Sequence, residues 1–130
     1  DWEFRTSSWE DILKNEVQTD DFVYLDPPYI GRNADYFNTW TEVVAEDLEN
    51  TIKALPCSFA YSMWLRNDYR ENLQLIESFK NFEFKTHSHF YHVGSSEKLR
   101  NAMEEALIVN FIDDLQSVKI DLVEKQMALF

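Results

Sequence analysis

An α/β fold with a mixed sheet that ends on an antiparallel strand is what this 130-residue sequence predicts. Three observations predict it. Short apolar runs rich in β-branched and aromatic residues alternate with stretches whose apolar residues recur at helical spacing. The order that results is strand, helix, strand, helix, strand, strand, the back half of an α/β sandwich. Finally, 45% apolar content in 15.5 kDa is enough for one core and one domain.

The elements follow in order. Trp2 to Arg5 reads as a short strand, and Ser7-Ser8-Trp9-Glu10 as a turn into a short helix near Asp11 to Lys14. A polar linker ends at Asp20-Asp21. Phe22-Val23-Tyr24-Leu25 is too short for a helix and suits a strand buried on both faces. Asp26-Pro27-Pro28-Tyr29 stops it, because two prolines continue neither a central strand nor a helix. Ile30 to Asn38, with Gly31, reads as a loop.

Thr39 and Glu42 then have capping-box spacing, with Thr41 as a competing N-cap. Val44, Leu48, Ile52 and Leu55 form one apolar stripe, and Pro56 ends that helix. Cys57 to Met63 is a second buried strand. Asp68 and Glu71 have N-cap and N3 spacing before a helix with Leu73, Ile76 and Phe79 on its apolar face. Phe82 to Val93 alternates with the period of a strand, Gly94-Ser95-Ser96 turns the chain, and Ala106 to Phe111 pairs antiparallel with it. In the tail, Leu115, Val118, Leu122 and Leu129 have helical spacing, while Val118, Ile120 and Leu122 also alternate; helix is the reading adopted. The expected organisation is one unit over 1–130, with a lead-in over 1–19, a main portion over 20–111 and an extension over 112–130.

Composition excludes several classes of function. Twelve Lys and Arg against 24 Asp and Glu leave a formal charge of −12. A polyanion repels such a surface, so the chain alone is not a self-sufficient nucleic-acid-binding domain. One cysteine allows no internal disulfide. No apolar run is long enough to span a membrane. The start at Asp1-Trp2-Glu3 reads as the beginning of an excised or processed piece.

The chemistry concentrates at Asp26-Pro27-Pro28-Tyr29. The prolines fix φ at two successive positions and remove two donors, so the carbonyls beside them hold a set direction. Asp26 adds a carboxylate acceptor, and Tyr29 adds a flat face whose hydroxyl needs a partner if buried. Two converging acceptors and a stacking ring suit a planar group that bears an exocyclic amine. The bland alternative is a rigid turn after a core strand. Ordinary residue frequencies make the tetrapeptide a chance event in about one of a few thousand chains of this length. In an α/β sheet, the carboxyl end of a strand is also where ligands bind.

This motif, after Phe22-Val23-Tyr24-Leu25, resembles that of Dam-like (D12 class) adenine-N6 DNA methyltransferases. Tyr36-Phe37-Asn38-Thr39-Trp40, Tyr61-Ser62-Met63-Trp64, His89 to Gly94 and Glu105 to Asn110 resemble later blocks of the same enzymes, so the resemblance runs from about Asp20 to Phe111. It implies the C-terminal half of a Rossmann-like methyltransferase sheet and S-adenosylmethionine as cofactor, with adenine in double-stranded DNA as target and a cytoplasmic location in a bacterial or phage system. Asp26 and the Pro27 carbonyl are then acceptors for the N6 amine and lie beside the cofactor. Pro28 fixes the loop, and Tyr29 stacks on the flipped base. The family's glycine-containing cofactor loop has no match here, and nothing matches its target-recognition region. The expectation is a catalytic half that depends on those regions for cofactor and for a basic DNA-binding surface, or that self-associates across an open sheet edge.

Tyr36, Phe37 and Trp40 are candidates to close over the base or touch DNA, against a reading as a satellite core. Trp64, Arg66 and Asn67 follow the second strand at the same sheet edge and are candidates for base or DNA contact, against helix capping and packing. His87 and His89 share a strand face, but His92 has opposite parity and no carboxylate has ligand spacing, so no metal site is assigned. Lys98 and Arg100 lie among glutamates and are not assigned, and Cys57 reads as a core residue. The competing functions are an amino methyltransferase acting on RNA or another exocyclic nitrogen, and an inert half that requires a partner chain.

Overall fold

The computed structural model describes residues 1–29, 40–90 and 102–111. The expectations for the loop over 30–38, the turn at Gly94 and the tail over 112–130 fall outside them. The described elements are helix α1 (Trp9–Asn15), strand β1 (Phe22–Leu25), helix α2 (Glu42–Lys53), strand β2 (Ser58–Asn67), helix α3 (Leu73–Ser78), strand β3 (Glu83–Phe90) and strand β4 (Ala102–Val109). The sheet order is β1-β2-β4-β3. β1 runs parallel to β2, and β4 is antiparallel to both β2 and β3. This is the mixed α/β sheet with an antiparallel final strand that the sequence predicts.

Register explains the core. Val23 pairs with Phe59 and Leu25 with Tyr61, while Tyr61 pairs with Ile108 and Met63 with Ala106. Directly opposed residues share a sheet face. That face meets Leu48 and Ile52 of α2 and Leu75 of α3, with Phe79 just beyond α3, in one buried cluster. Phe79 is fully enclosed, its ring centroid 5.4 Å from that of Tyr61 and 5.5 Å from that of Phe82.

Several local expectations change. Trp2 to Arg5 is not a strand; Trp2 and Phe4 stand exposed and stack on one another. β1 is not buried on both faces. Phe22 is 57% and Tyr24 61% exposed, because β1 is an edge strand among the described residues and its helix layer covers only the Val23–Leu25 side. Thr41, not Thr39, caps α2, its hydroxyl oxygen accepting from the Val44 amide at 3.3 Å. α3 starts at Leu73 rather than at Asp68. Asn67 folds residues 67–70 into a turn by accepting from the Tyr69 and Arg70 amides, and Asn72 caps the helix by accepting from Leu75. That later start turns Leu73 out to 67% exposure. β2 and β4 each extend four residues past the apolar runs that announced them, held by their mutual ladder.

Asn110, just past β4, clips the sheet together. Its carboxamide oxygen accepts from the Phe59 amide at 2.8 Å, and its nitrogen donates to the Cys57 carbonyl at 2.9 Å. An aspartate retains the first bond and loses the second. Asn110→Ala is expected to cost about 1–2 kcal/mol and Asn110→Asp about half of that, read from urea unfolding midpoints.

Glu49 is the one charged residue buried in the described core, 6% exposed on α2. Desolvation raises its carboxyl above the ordinary 4.5, against hydrogen bonding from Ser78 and attraction from Lys53. Burial, reinforced by the Glu49 charge, also pushes the Tyr61 phenol well above its usual range. Because the folded state holds the Glu49 proton more tightly than the unfolded chain does, stability falls as pH rises from the ordinary carboxyl value through the raised one. Glu49→Gln is therefore expected to raise the urea midpoint at pH 7.5 and to leave it nearly unchanged at pH 4.

Candidate functional site

The site lies at the carboxyl end of β1. The strand brings Leu25 level with Tyr61 of β2, and Asp26-Pro27-Pro28-Tyr29 emerges there while β2 continues to Asn67. The Asp26 carboxylate is exposed, and no described residue hydrogen-bonds it. Among the described residues it is a free acceptor at the strand end. Pro27, Pro28 and Tyr29 are half-buried. The Tyr29 ring packs against the core cluster, and its hydroxyl donates to Glu105 Oε1 at 2.7 Å.

Glu105 stands on β4 directly opposite Trp64 of β2 on one side and His87 of β3 on the other. These three share the sheet face opposite the helices, so the proline-led loop, Trp64 and a carboxylate meet at one end of the sheet. Sequence reasoning did not assign Glu105. The signal was present: a carboxylate at the head of the Ala106 to Val109 run, with strand parity that keeps it out of the core.

The other candidates divide. Trp40 is half-buried against the core cluster, and its indole N–H is enclosed without a protein partner. It packs as part of the core. Trp64 is half-buried, with the Arg70 guanidinium 5.3 Å over its ring. Arg66 follows a register shift in β2 and is engaged by Glu104 at 2.9 Å and Glu71 at 3.3 Å. These are exposed pairs of small energetic weight, but they draw the guanidinium toward β4. The Asn67 side chain is committed to the turn over 67–70. Tyr36 and Phe37 lie outside the described residues.

Cys57 is buried and free. Among the described residues, no group of three or more His, Cys, Asp or Glu is placed to hold a metal ion, and no helix is long and apolar enough to cross a membrane.

Comparison with known proteins bears on the same stretch of chain. The Type II methyltransferase M.FokI of Planomicrobium okeanokoites is 27% identical over 118 residues, which is 84% of this chain but 18% of that relative. The chain thus spans less than a fifth of the length of the curated relative it matches. A model of the D12 class N6 adenine-specific DNA methyltransferases matches residues 1–101, which include the proline-led motif, the first three strands and all three described helices. This chain belongs to the D12 class of N6 adenine-specific DNA methyltransferases.

Proposed function

We propose that this chain carries the catalytic motif of an enzyme that transfers a methyl group from S-adenosylmethionine to the N6 amine of adenine in DNA. One observation carries the reading: a chain of this family presents Asp26-Pro27-Pro28-Tyr29 at the carboxyl end of β1, with an exposed carboxylate and a ring anchored by its hydroxyl.

The residues fit one side of the cofactor. An unpaired carboxylate in a chain of net charge −12 suits a cationic sulfonium. Asp26 and Pro27 would face it. The two glycines, Gly31 and Gly94, do not form a glycine-rich loop, so the other side of the cofactor falls to a further region of the protein. When bound, S-adenosylmethionine supplies an electrophilic methyl group. The chain's own residues orient the acceptor. The Asp26 carboxylate and the Pro27 carbonyl each accept one N6 hydrogen, which directs the nitrogen lone pair out of the plane of the base. Pro28 keeps the two acceptors in register, and the Tyr29 face stacks on adenine after the base leaves the duplex. The N6 proton turns acidic only when the nitrogen gains its methyl, and it is then already hydrogen-bonded to Asp26. Positioning and charge supply the rate.

Two features support dependence on further regions: the exposed edge of β1 with Phe22 and Tyr24, and the short span of the longer relative that the chain covers. A recognition region would also supply the basic surface for DNA that an acidic catalytic lobe lacks. Trp64, opposite Glu105 on β4, is a proposed base or DNA contact; Tyr36, Phe37, Trp40, Arg66 and Asn67 are the others. The test is incubation of the full protein with S-adenosylmethionine and unmethylated genomic DNA, followed by nucleoside mass spectrometry. N6-methyladenine is the expected product. In parallel incubations with DNA and with RNA, methylation of cytosine N4 or of RNA instead would transfer the site to another substrate, and no product in either would remove the reading.

A further inference from the structure

We infer that Glu105 is a positioning residue for the proposed methyl transfer, holding the Tyr29 ring in the plane in which it stacks on the base; the inference rests on the function proposed above. Tyr29 and Glu105 are 76 residues apart in sequence, yet the phenol donates to the carboxylate at 2.7 Å. β1 and β4 are not neighbours, since β2 lies between them. Two strand spacings are about 10 Å, so a side chain just past β1 reaches Glu105 of β4 only by lying over β2, which continues past that level to Asn67. The ring is therefore drawn over β2 at the level where Trp64 stands opposite Glu105.

The two prolines cannot do this. They fix the backbone leading into Tyr29 and leave its two side-chain torsions free. A ring anchored only at Cβ settles into one orientation after the base arrives, and that ordering opposes the transfer. A hydrogen bond from the hydroxyl to a carboxylate fixes the far end of the ring beforehand. This gives the motif's hydroxyl a role that stacking alone does not require. The neighbouring carboxylate is used differently, since Glu104 engages Arg66. Of these two carboxylates, Glu105 is the one that hydrogen-bonds the motif.

The experiment measures kcat, KM for DNA and S-adenosylmethionine affinity in the full protein, with unmethylated genomic DNA as acceptor. The variants are Tyr29→Phe, Glu105→Ala, Glu105→Gln and the double variant Tyr29→Phe/Glu105→Ala. Tyr29→Phe and Glu105→Ala are each expected to lower kcat about tenfold with cofactor affinity held and the cooperative fold retained. The double variant loses no more than either single one, because both remove the same bond. Glu105→Gln retains an acceptor oxygen and recovers most of the loss, which general destabilisation of β4 would not allow. Additive losses, a wild-type kcat in Glu105→Ala, or a Glu105→Gln as slow as Glu105→Ala would each overturn the inference while leaving the function standing. A wild-type protein that forms no N6-methyladenine overturns the function and, with it, this inference.

Discussion

Asp26→Ala is expected to lower methyl transfer by about a thousandfold, the scale of losing one preorganised electrostatic partner of a transition state. The carboxylate is exposed and unpaired by the described residues, so stability should move by no more than about 0.5 kcal/mol. The loss is therefore chemical. Asp26→Asn retains one acceptor oxygen but removes the negative charge that offsets the positive charge growing on N6. It should fall between the other two, about 10- to 100-fold below wild type. Single-turnover rates on unmethylated DNA, with circular dichroism melts of each variant, check both parts. A folded Asp26→Ala protein that methylates at the wild-type rate would remove Asp26 from the site.

Phe79→Ala should have the largest effect on stability. Phe79 is fully enclosed, its ring packs on Tyr61 and Phe82, and the Lys53 ammonium lies 5.5 Å over it. Truncating a buried phenylalanine costs about 3–5 kcal/mol, against a total stability of about 5–15 kcal/mol for a typical domain. The variant is expected to lose much of its cooperative unfolding transition in urea and to accumulate in inclusion bodies at 37 °C. Leu73→Ala, six residues earlier but 67% exposed, should shift the midpoint by no more than about 0.5 kcal/mol. Equal effects from the two would mean that α3 does not dock through Phe79.

Burial separates those two residues, although the amino-acid pattern treats them alike. Leu73, Ile76 and Phe79 recur at helical spacing and read as one apolar face. The helix begins later than Asp68 suggests, because Asn67 and Asn72 take the backbone amides of 69, 70 and 75. Asn and Asp cap equally well in local terms. Which of them does so depends on where β2 ends, and β2 ends where its ladder with β4 ends. A similar cause lengthened both strands: hydrogen bonding to a neighbour holds Trp64 to Asn67 and Ala102 to Glu105 extended, though neither stretch is apolar enough to announce a strand.

Local chemistry alone specified the order of elements from β1 to β4 and the proline-led motif at a strand end. Proline geometry, strand and helix periods and the chance rarity of the tetrapeptide act over a few residues and need no partner. Three things depended on tertiary structure. The first is the open face of β1, since an apolar strand reads the same whether one side or both are covered. The second is the engagement of Arg66 by Glu104 and Glu71, which no spacing along the chain reveals. The third is the bond from Tyr29 to Glu105. It exists because β4 inserts antiparallel beside β2 and brings its amino-terminal half to the end of the sheet where β1 delivers the motif. Strand order is set by the packing of the whole chain, and it alone places a glutamate from the last described strand against a tyrosine that follows the first.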